Sequence, residues 1–216
     1  MLTMNKLHAT LSLAGSLAFA MPGQAATIAI TFDEPGIHSG ADFTGTEISS
    51  QYHGSLGVDF IAGTNNRPIV HKNGESPFSS AITFDNTQFL FFDRDNVSPT
   101  PTINVAVSFS QLLSRFSVQY RRPAQPQNIE IDLFNGTDKN TLVFASSGLQ
   151  ATSTVQTFTF DSNLVGPLQG MTINKVVFKS TNKFAIDNLS ATTVPVPSAA
   201  LLLATALPWL ARRRRA

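Results

Sequence analysis

Ile129-Glu130-Ile131-Asp132-Leu133 is the stretch that decides the fold class, because apolar and acidic residues alternate along it without a break. Successive side chains of a β-strand point to opposite faces of the sheet, so this pattern buries one face and leaves the other in water. Strand-like patterning continues over most of the chain from Thr27 to Thr193, with turns rich in Gly, Asn, Ser and Pro, and helical periodicity is nearly absent. The sequence therefore predicts an all-β domain.

The spacing of these segments predicts how the strands are arranged. Short strands with 17 Phe and a single Trp favour two antiparallel sheets packed on an aromatic core, which is an antiparallel β-sandwich. The one long gap in the strand pattern, 33–55, predicts a loop over one end of the sandwich, and 110–113 allows one helical turn. The predicted strands are 27–32, 56–61, 81–84, 88–92, 103–109, 115–120, 129–134, 141–145, 155–160, 173–179 and 183–191.

Four consecutive apolar residues, Phe89, Leu90, Phe91 and Phe92, cannot all lie on one face of a strand. Either this strand is buried on both faces or it exposes aromatic surface. We expect burial on both faces.

Charge and composition exclude several classes of function. The formal charge is +1, but five of the 15 basic residues are Lys6 and Arg212 to Arg215, near the two ends. The remaining 10 Lys and Arg against 14 Asp and Glu give −4, so no basic face suits nucleic acid. The absence of cysteine excludes disulfides, thiolate metal sites and a cysteine nucleophile. His38, His53 and His71 lack the spacing of a zinc site and are expected in loops.

The N-terminus has the order of an export signal. Lys6 precedes an apolar run over 9–21, and the small residues Gly23 and Ala25 follow at the cleavage positions. A membrane-spanning helix needs about 20 apolar residues, and this run is shorter. We therefore predict a signal peptide over 1–25, and a buried N-terminal helix is the alternative.

The C-terminus combines three features in a fixed order. Val194-Pro195-Val196-Pro197-Ser198 is followed by an apolar run over 199–211 and then by Arg212, Arg213, Arg214 and Arg215. As a helix the run spans roughly 20 Å, against about 30 Å of bilayer hydrocarbon, so it enters a membrane and holds weakly. The arginines resist translocation and leave the body of the protein outside. Pro195 and Pro197 keep the preceding segment extended, as a peptidase cleft requires.

This order resembles the sorting signal of PEP-CTERM proteins over 194–216, although Val196 stands where the motif has Glu. The resemblance implies a Gram-negative bacterium that makes extracellular polysaccharide, passage through the export machinery and processing by an exosortase-type membrane peptidase. It also implies transient anchoring in the inner membrane before delivery to the cell surface or extracellular matrix. A plain single-span anchor is the alternative. The domain itself is then 26–193.

The body resembles jelly-roll domains of the galactose-binding and carbohydrate-binding-module type. Phe32-Asp33-Glu34 after the first strand and Phe184 to Leu189 on the last carry this resemblance. It implies a structural calcium ion where the first and last strands lie side by side, held by Asp33 or Glu34 with Asp187, and with Asp42 as a further ligand. The alternative is that Asp33 and Asp187 cap turns through their own backbone.

Three functions remain open for such a domain. A non-enzymatic binder or organiser of extracellular polysaccharide would stack sugar rings on exposed aromatic side chains, and Tyr52 and Tyr120 are the candidates. A purely structural role in the extracellular matrix is a third function, and the sequence does not distinguish it from polysaccharide binding. A secreted polysaccharide hydrolase would place His38 or His53 beside carboxylates in a closed cleft. No catalytic motif is present, and Glu130 and Asp132 share a face as any solvent-facing pair would.

Overall fold

Antiparallel strands make up almost all the regular structure in the computed structural model. It describes residues 24–34, 37, 46–63, 66–72, 84, 88–94, 103–121, 127–136, 138–146, 148–151, 153–181 and 183–195. Residues Ala25–Val194 form one compact unit, and the all-β prediction is confirmed. The elements are β1 Thr27–Ile30, α1 His53–Leu56, β2 Val58–Ala62, β3 Asn66–Lys72, β4 Gln88–Arg94, β5 Ile103–Arg121, β6 Gln127–Asn135, β7 Thr141–Ala145, β8 Leu149–Ala151, β9 Gln156–Asp161, β10 Ile173–Ser180 and β11 Phe184–Thr193.

Strand β5 organises the sheet because its 19 residues serve two groups of neighbours. Its first part pairs with β2 on one side and β10 on the other, and β6 follows β10 and carries β7 and β8. We call these strands the first half-sheet. Its second part pairs with β9 and β11, while β1 and β4 both pair with β11 and β3 pairs with β4. These strands are the second half-sheet.

The two half-sheets pack face to face on the aromatic core. The ring of Phe92 in β4 lies 5.7 Å from that of Phe178 in β10, and Phe178 lies 6.1 Å from Phe184 in β11. Phe109 and Phe116, from the two parts of β5, meet edge to face at 6.1 Å. These contacts join opposite half-sheets, as in a sandwich.

The middle of β5 differs from the prediction. The sequence of residues 110–113 allowed one helical turn, but these residues are extended and join the two predicted strands into one. Neighbouring backbone satisfies their polar groups: Ser110 N donates to Gly57 O at 2.8 Å and Leu112 O accepts from Val194 N at 2.8 Å. The core-facing side chains shift from odd positions such as Phe109 to even positions such as Phe116 across this segment, where the pairing of both neighbours is irregular.

Two strands, β3 and β8, were not predicted. Pro68 interrupts the pattern of β3. Proline, which has no backbone N–H, is tolerated there because Pro68 faces the edge of β3 opposite to β4, where its carbonyl meets the short segment at Ile48. Ile48 N donates to Pro68 O, and Glu47 forms an isolated bridge with Ile69. The described parts of the predicted loop over 33–55 thus include this bridge and α1. Of the predicted strand 81–84, Phe84 is described and lies outside a strand, and 81–83 lie outside the described residues.

Strand β4 is buried on both faces, as predicted. Leu90 and Phe92 belong to the main core, and Phe89 and Phe91 pack on the other side of the sheet with Phe84 and Ala185.

The first and last strands of the domain lie side by side, also as predicted. Thr27 pairs with Thr192 and Ile30 with Leu189 in antiparallel register. The contact extends past the strand ends, because Ala26 N donates to Thr193 Oγ1 at 2.9 Å. No helix among the described residues is long and apolar enough to cross a membrane.

Candidate functional site

The first half-sheet presents a continuous row of side chains on the face that points away from the core. Register places one residue from each of five adjacent strands in this row, which we call the outer row. At a strand spacing of about 4.8 Å the outer row is about 19 Å long. Its members are Asp59 of β2, Ser108 of β5, Lys175 of β10, Phe134 of β6 and Leu142 of β7.

Strand alternation explains why these residues share a face. In β10, Val176 and Phe178 are buried in the core, so Lys175 and Lys179 point the other way. The INKVVFKS segment shows this alternation, and it is the one sequence feature that points to the outward position of Lys175 and Lys179. The sequence alone did not reveal which strands lie next to β10, so the row was not predicted.

The turn between β6 and β7 is fastened onto the outer row. Lys139 Nζ donates to Ser108 Oγ at 2.5 Å, and Lys175 Nζ donates to Asn140 Oδ1 at 3.0 Å. Lys175 Nζ also lies 4.5 Å from the centroid of the Phe134 ring, a cation–π distance. Two lysines, a hydroxyl, an amide and an aromatic ring are therefore held together at the centre of this face.

Charges of both signs are mixed around the outer row. Lys179 forms an ion pair with Asp132, whose side chain is only 6% exposed. Glu130 is exposed on the same side of β6, and Asp138 lies in the turn that follows. Together with Asp59, this face carries four carboxylates and the three lysines Lys139, Lys175 and Lys179. Its net charge is therefore close to zero, which does not favour binding of a polyanion. The two carboxylates that sequence analysis placed on one face, Glu130 and Asp132, are both there, but a lysine binds one of them.

His53 and Asp59 pair at one end of the outer row. His53 Nδ1 lies 2.9 Å from Asp59 Oδ2, with the two side chains 64% and 31% exposed. His53 opens α1, which ends at Gly57 in the left-handed conformation with φ 66°. A Cβ atom on Gly57 would lie 2.1 Å from Ser110 Oγ, so glycine lets α1 approach β5 closely.

A depression of about 360 Å³ adjoins His53. Its walls come from β1, α1, β5 and the end of β11, with Ser55, Ser110 and Thr193 among the polar groups. His53 itself is largely in solvent, so the pair does not lie in the closed cleft expected of a hydrolase. His38, the other histidine considered for such a cleft, lies outside the described residues.

Tyr52 and Tyr120, the predicted sugar-binding rings, lie in the core and not on the surface. They are 4% and 5% exposed, so neither offers a free ring face for stacking. Tyr120 alternates inward with Phe116 and Val118 along β5, and burial raises its pKa. The sequence does not reveal this inward register.

Tyr52 and Glu34 hold the segment after β1. Tyr52 Oη donates to Glu34 Oε2 at 2.8 Å, and Thr31 N donates to Glu34 Oε1 at 2.9 Å. The Tyr52 ring packs edge to face against Phe32 at 6.3 Å. Burial, followed by the hydrogen bond to Glu34 and the charge of Glu34 and Asp33, raises the pKa of Tyr52 well above its ordinary value. The phenol therefore stays neutral and donates to the carboxylate.

The predicted calcium ligands have protein partners where their contacts are defined. Both oxygens of Glu34 accept the hydrogen bonds just described. Asp187 is fully buried, and its Oδ1 accepts from Asn188 N at 2.7 Å, next to the irregular pairing of β11 with β5. Within the described part of the chain, no group of three or more His, Asp or Glu side chains could hold a metal ion. Asp42 lies outside the described residues. Calcium binding stays a prediction.

The sorting signal is only partly described. Val194 continues the domain through its hydrogen bond to Leu112 O, and Pro195 is exposed. Val196, Pro197 and Arg212 to Arg215 lie outside the described residues.

Comparison with known proteins gives fold-level similarity only. No family model matches the chain, and no curated protein matches it. Among solved structures, a family 11 carbohydrate-binding module from Clostridium thermocellum, in complex with a β-1,3-1,4-mixed-linked tetrasaccharide, is 13% identical with a TM-score of 0.38. It covers 67% of this chain and 94% of its own.

Two other solved structures are similar at the same level. The K2 cleaved adhesin domain of Lys-gingipain is 13% identical, covers 77% of this chain and 99% of its own, and has a TM-score of 0.45. A variant of a family 29 carbohydrate-binding module is 11% identical, covers 79% of this chain and 93% of its own, and has a TM-score of 0.40. Similarity this distant gives no information on which residues of this chain bind a ligand.

Proposed function

We propose that this protein is an exported, non-enzymatic β-sandwich protein that binds extracellular polysaccharide through the outer row. The PEP-CTERM-like tail would bring it to the cell surface or matrix after processing by an exosortase-type peptidase. The observation that carries the binding proposal is the outer row itself, a line of hydrogen-bonding and apolar side chains across five strands, in which Ser108 is buried beneath Lys139.

The chemistry of the outer row suits a chain of sugar rings. Sugars carry hydroxyl groups that both donate and accept, and the outer row offers the carboxylate of Asp59 and the ammonium of Lys175, while Lys139 covers the buried hydroxyl of Ser108. Sugars also have apolar C–H faces, which Phe134 and the exposed Leu142 can cover. A length of about 19 Å on an open face accommodates several linked rings, whereas a small molecule is better held in an enclosed pocket.

The charge of this face favours a neutral polymer. Lys179 is neutralised by Asp132, and the remaining Lys139 and Lys175, which donate to the neutral groups of Ser108 and Asn140, are outnumbered by three further carboxylates. A polyanion would also meet the repulsion of Asp59, Glu130 and Asp138. We therefore expect neutral polysaccharides to bind in preference to uronate-rich or sulfated ones.

A glycan array with the full chain tests this proposal. It should show binding to one or more neutral polysaccharides that survives raised salt, because neutral contacts are little screened. Retention of acidic polymers alone, lost in salt, would contradict the proposed ligand class. An array without any bound glycan would favour the purely structural role in the matrix.

The His53–Asp59 pair favours hydrolysis of the same polymer as a second candidate. A carboxylate bound to Nδ1 of a histidine orients the ring and leaves Nε2 for proton transfer. The test is the release of reducing ends from the bound polysaccharide by the wild type and by His53→Ala. Release of reducing ends by the wild type that is lost in His53→Ala would establish hydrolysis. Release at background level by both proteins would favour a protein that binds the polymer without cleaving it.

The export proposal has its own test. If the tail is processed, protein recovered from the surface or matrix of the native host lacks Arg212 to Arg215. Full-length chains in that material would contradict processing and favour a plain anchor.

A further inference from the structure

One end of the domain concentrates exposed apolar side chains. Of the seven large hydrophobic residues that are exposed in the described part of the chain, four lie on the bend of β5 or on the loop between β9 and β10. Val165, at the tip of this loop, is 91% exposed. We call this set the apolar end, and it consists of Leu112, Leu164, Val165 and Met171.

The loop that presents these residues has a defined internal structure. Gly170 N donates to Ser162 O at 2.8 Å and so closes the loop at its base. Asp161 Oδ1 accepts from Asn163 N at 2.9 Å at its start, and Gln169 N donates to Gly166 O at 3.1 Å near its tip. These bonds fix the loop in which Leu164 and Val165 are exposed, and an exposed cluster of apolar side chains is typical of an interaction surface.

The C-terminal tail leaves the domain at the same place. Val194 N donates to Leu112 O at 2.8 Å, and Ser162 N donates to Ser114 O at 2.9 Å. Both segments are thus bound to the same three residues of β5. Leu113, between them, pairs with Ile173 at the start of β10 and with Thr193 at the end of β11.

The tail gives this end a short tether. Only residues 195–198 separate Val194 from the apolar run over 199–211. Val194 and Ala199 are five residue steps apart, which is at most about 17 Å for a fully stretched chain. If the apolar run enters a bilayer, the bend of β5 therefore cannot be farther than this from the membrane surface.

We propose that the apolar end docks on the lipid bilayer while the tail is inserted, with Leu164 and Val165 entering the interfacial region. This inference requires the tail to enter the membrane, and it is independent of polysaccharide binding. A few apolar side chains bind a bilayer weakly by themselves, but the tether makes their contact with lipid intramolecular. Docking would fix the orientation of the domain on the membrane and keep the segment at Pro195 next to the bilayer surface.

Tryptophan substitutions in the full chain test the orientation. With Trp209→Phe as background, Val165→Trp places a single Trp at the apolar end, and Val155→Trp is the matched control. Both native residues are exposed valines, and they flank β9 at opposite ends. Asp161 is six residue steps along the strand from Val155, which is about 20 Å. Each variant is reconstituted in vesicles of phosphatidylethanolamine with a minority of phosphatidylglycerol.

We expect the emission of the Val165→Trp variant to shift to the blue in vesicles and to be quenched severalfold more strongly by brominated lipid than that of Val155→Trp. Equal quenching of the two variants, or none, would overturn the proposal. A blue shift of Val165→Trp that depends on protein concentration without lipid would assign the apolar end to self-association and would also overturn it.

Discussion

Lys139 Nζ donates a hydrogen bond to Ser108 Oγ at 2.5 Å although the two residues are 31 positions apart in the chain. Through this bond the turn after β6 reaches over β10 to β5. The polar groups of the turn, of Lys175 in β10 and of Ser108 in β5 therefore lie together. Lys139 also has φ 56°, a left-handed conformation that is uncommon for a residue with a Cβ atom. The side-chain contact and the backbone strain can therefore be separated by substitution.

Lys139→Ala and Lys139→Gly should differ in stability. Both remove the hydrogen bond, which contributes about 1 kcal/mol, but only glycine also relieves about 1 kcal/mol of left-handed strain. We expect Lys139→Ala to lower the free energy of unfolding in urea by about 1 kcal/mol and Lys139→Gly to be close to wild type. Equal values for the two variants would show that the backbone at this position is not strained.

Asp132→Ala should destabilise the domain more than Glu130→Ala. Asp132 is almost fully buried beside Lys179, and removing it leaves the ammonium without its carboxylate partner. Because Lys179 is 35% exposed, water offsets part of the loss, and we expect about 2 kcal/mol from urea unfolding. Glu130 is exposed on the same strand and should change stability by no more than about 0.5 kcal/mol. Similar effects at both positions would contradict the burial of the Asp132 pair.

The Tyr52–Glu34 bond predicts a loss of stability in alkali. The folded pKa of Tyr52 is raised above its ordinary value of 10.0, so the unfolded chain releases the phenolic proton first. This contribution is complete below pH 10 and decreases as the pH rises above it. Tyr52→Phe should lower the free energy of unfolding at neutral pH by about 2 kcal/mol, because a hydrogen bond to a carboxylate is lost. Between neutral and alkaline pH, the free energy of unfolding of this variant should fall by less than that of the wild type. The measurement is the free energy of unfolding of the wild type and of Tyr52→Phe between pH 7 and about pH 11. A constant difference between the two proteins over this range would contradict the raised pKa of Tyr52.

Calcium binding by Asp33 or Glu34 together with Asp187 predicts a lower melting temperature in excess chelator, because an ion bound only by the folded state stabilises it. Differential scanning calorimetry of the full chain with calcium and with chelator measures the effect. An unchanged melt in chelator would remove this site and leave Glu34 as the turn-holding residue that its contacts describe.

The alternating stretch Ile129 to Leu133 shows how far sequence reasoning reaches. Ile129, Ile131 and Leu133 are fully buried and Glu130 is exposed, as alternation requires, but Asp132 is buried on the face expected to be wet. Its partner Lys179 comes from β10, and local pattern carries no information on which strand lies alongside. Strand existence depends on such local alternation, and most strands were predicted for that reason.

The site depended on pairing between distant strands and was largely not predicted. His53 and Asp59 are close in sequence, yet their contact requires the left-handed turn at Gly57. Tyr120 points inward because of the register of β5, and Tyr52 because of its place in the turn before α1, and sequence composition determines neither. By contrast, the adjacency of β1 and β11 was predicted from the resemblance to jelly-roll domains, and it places the start of the tail beside the start of the domain.

The most direct test of polysaccharide binding through the outer row compares two variants by affinity electrophoresis in gels that contain a neutral polysaccharide, over a panel of such polymers. Lys175→Ala removes an ammonium group from the centre of the outer row, whereas Arg115→Ala removes an exposed cation from the second half-sheet. We predict that Lys175→Ala weakens binding about tenfold, the equivalent of one lost polar contact, and that Arg115→Ala binds as the wild type. Equal retardation of wild type and Lys175→Ala, or no retardation of the wild type by any neutral polymer, would contradict the proposed site.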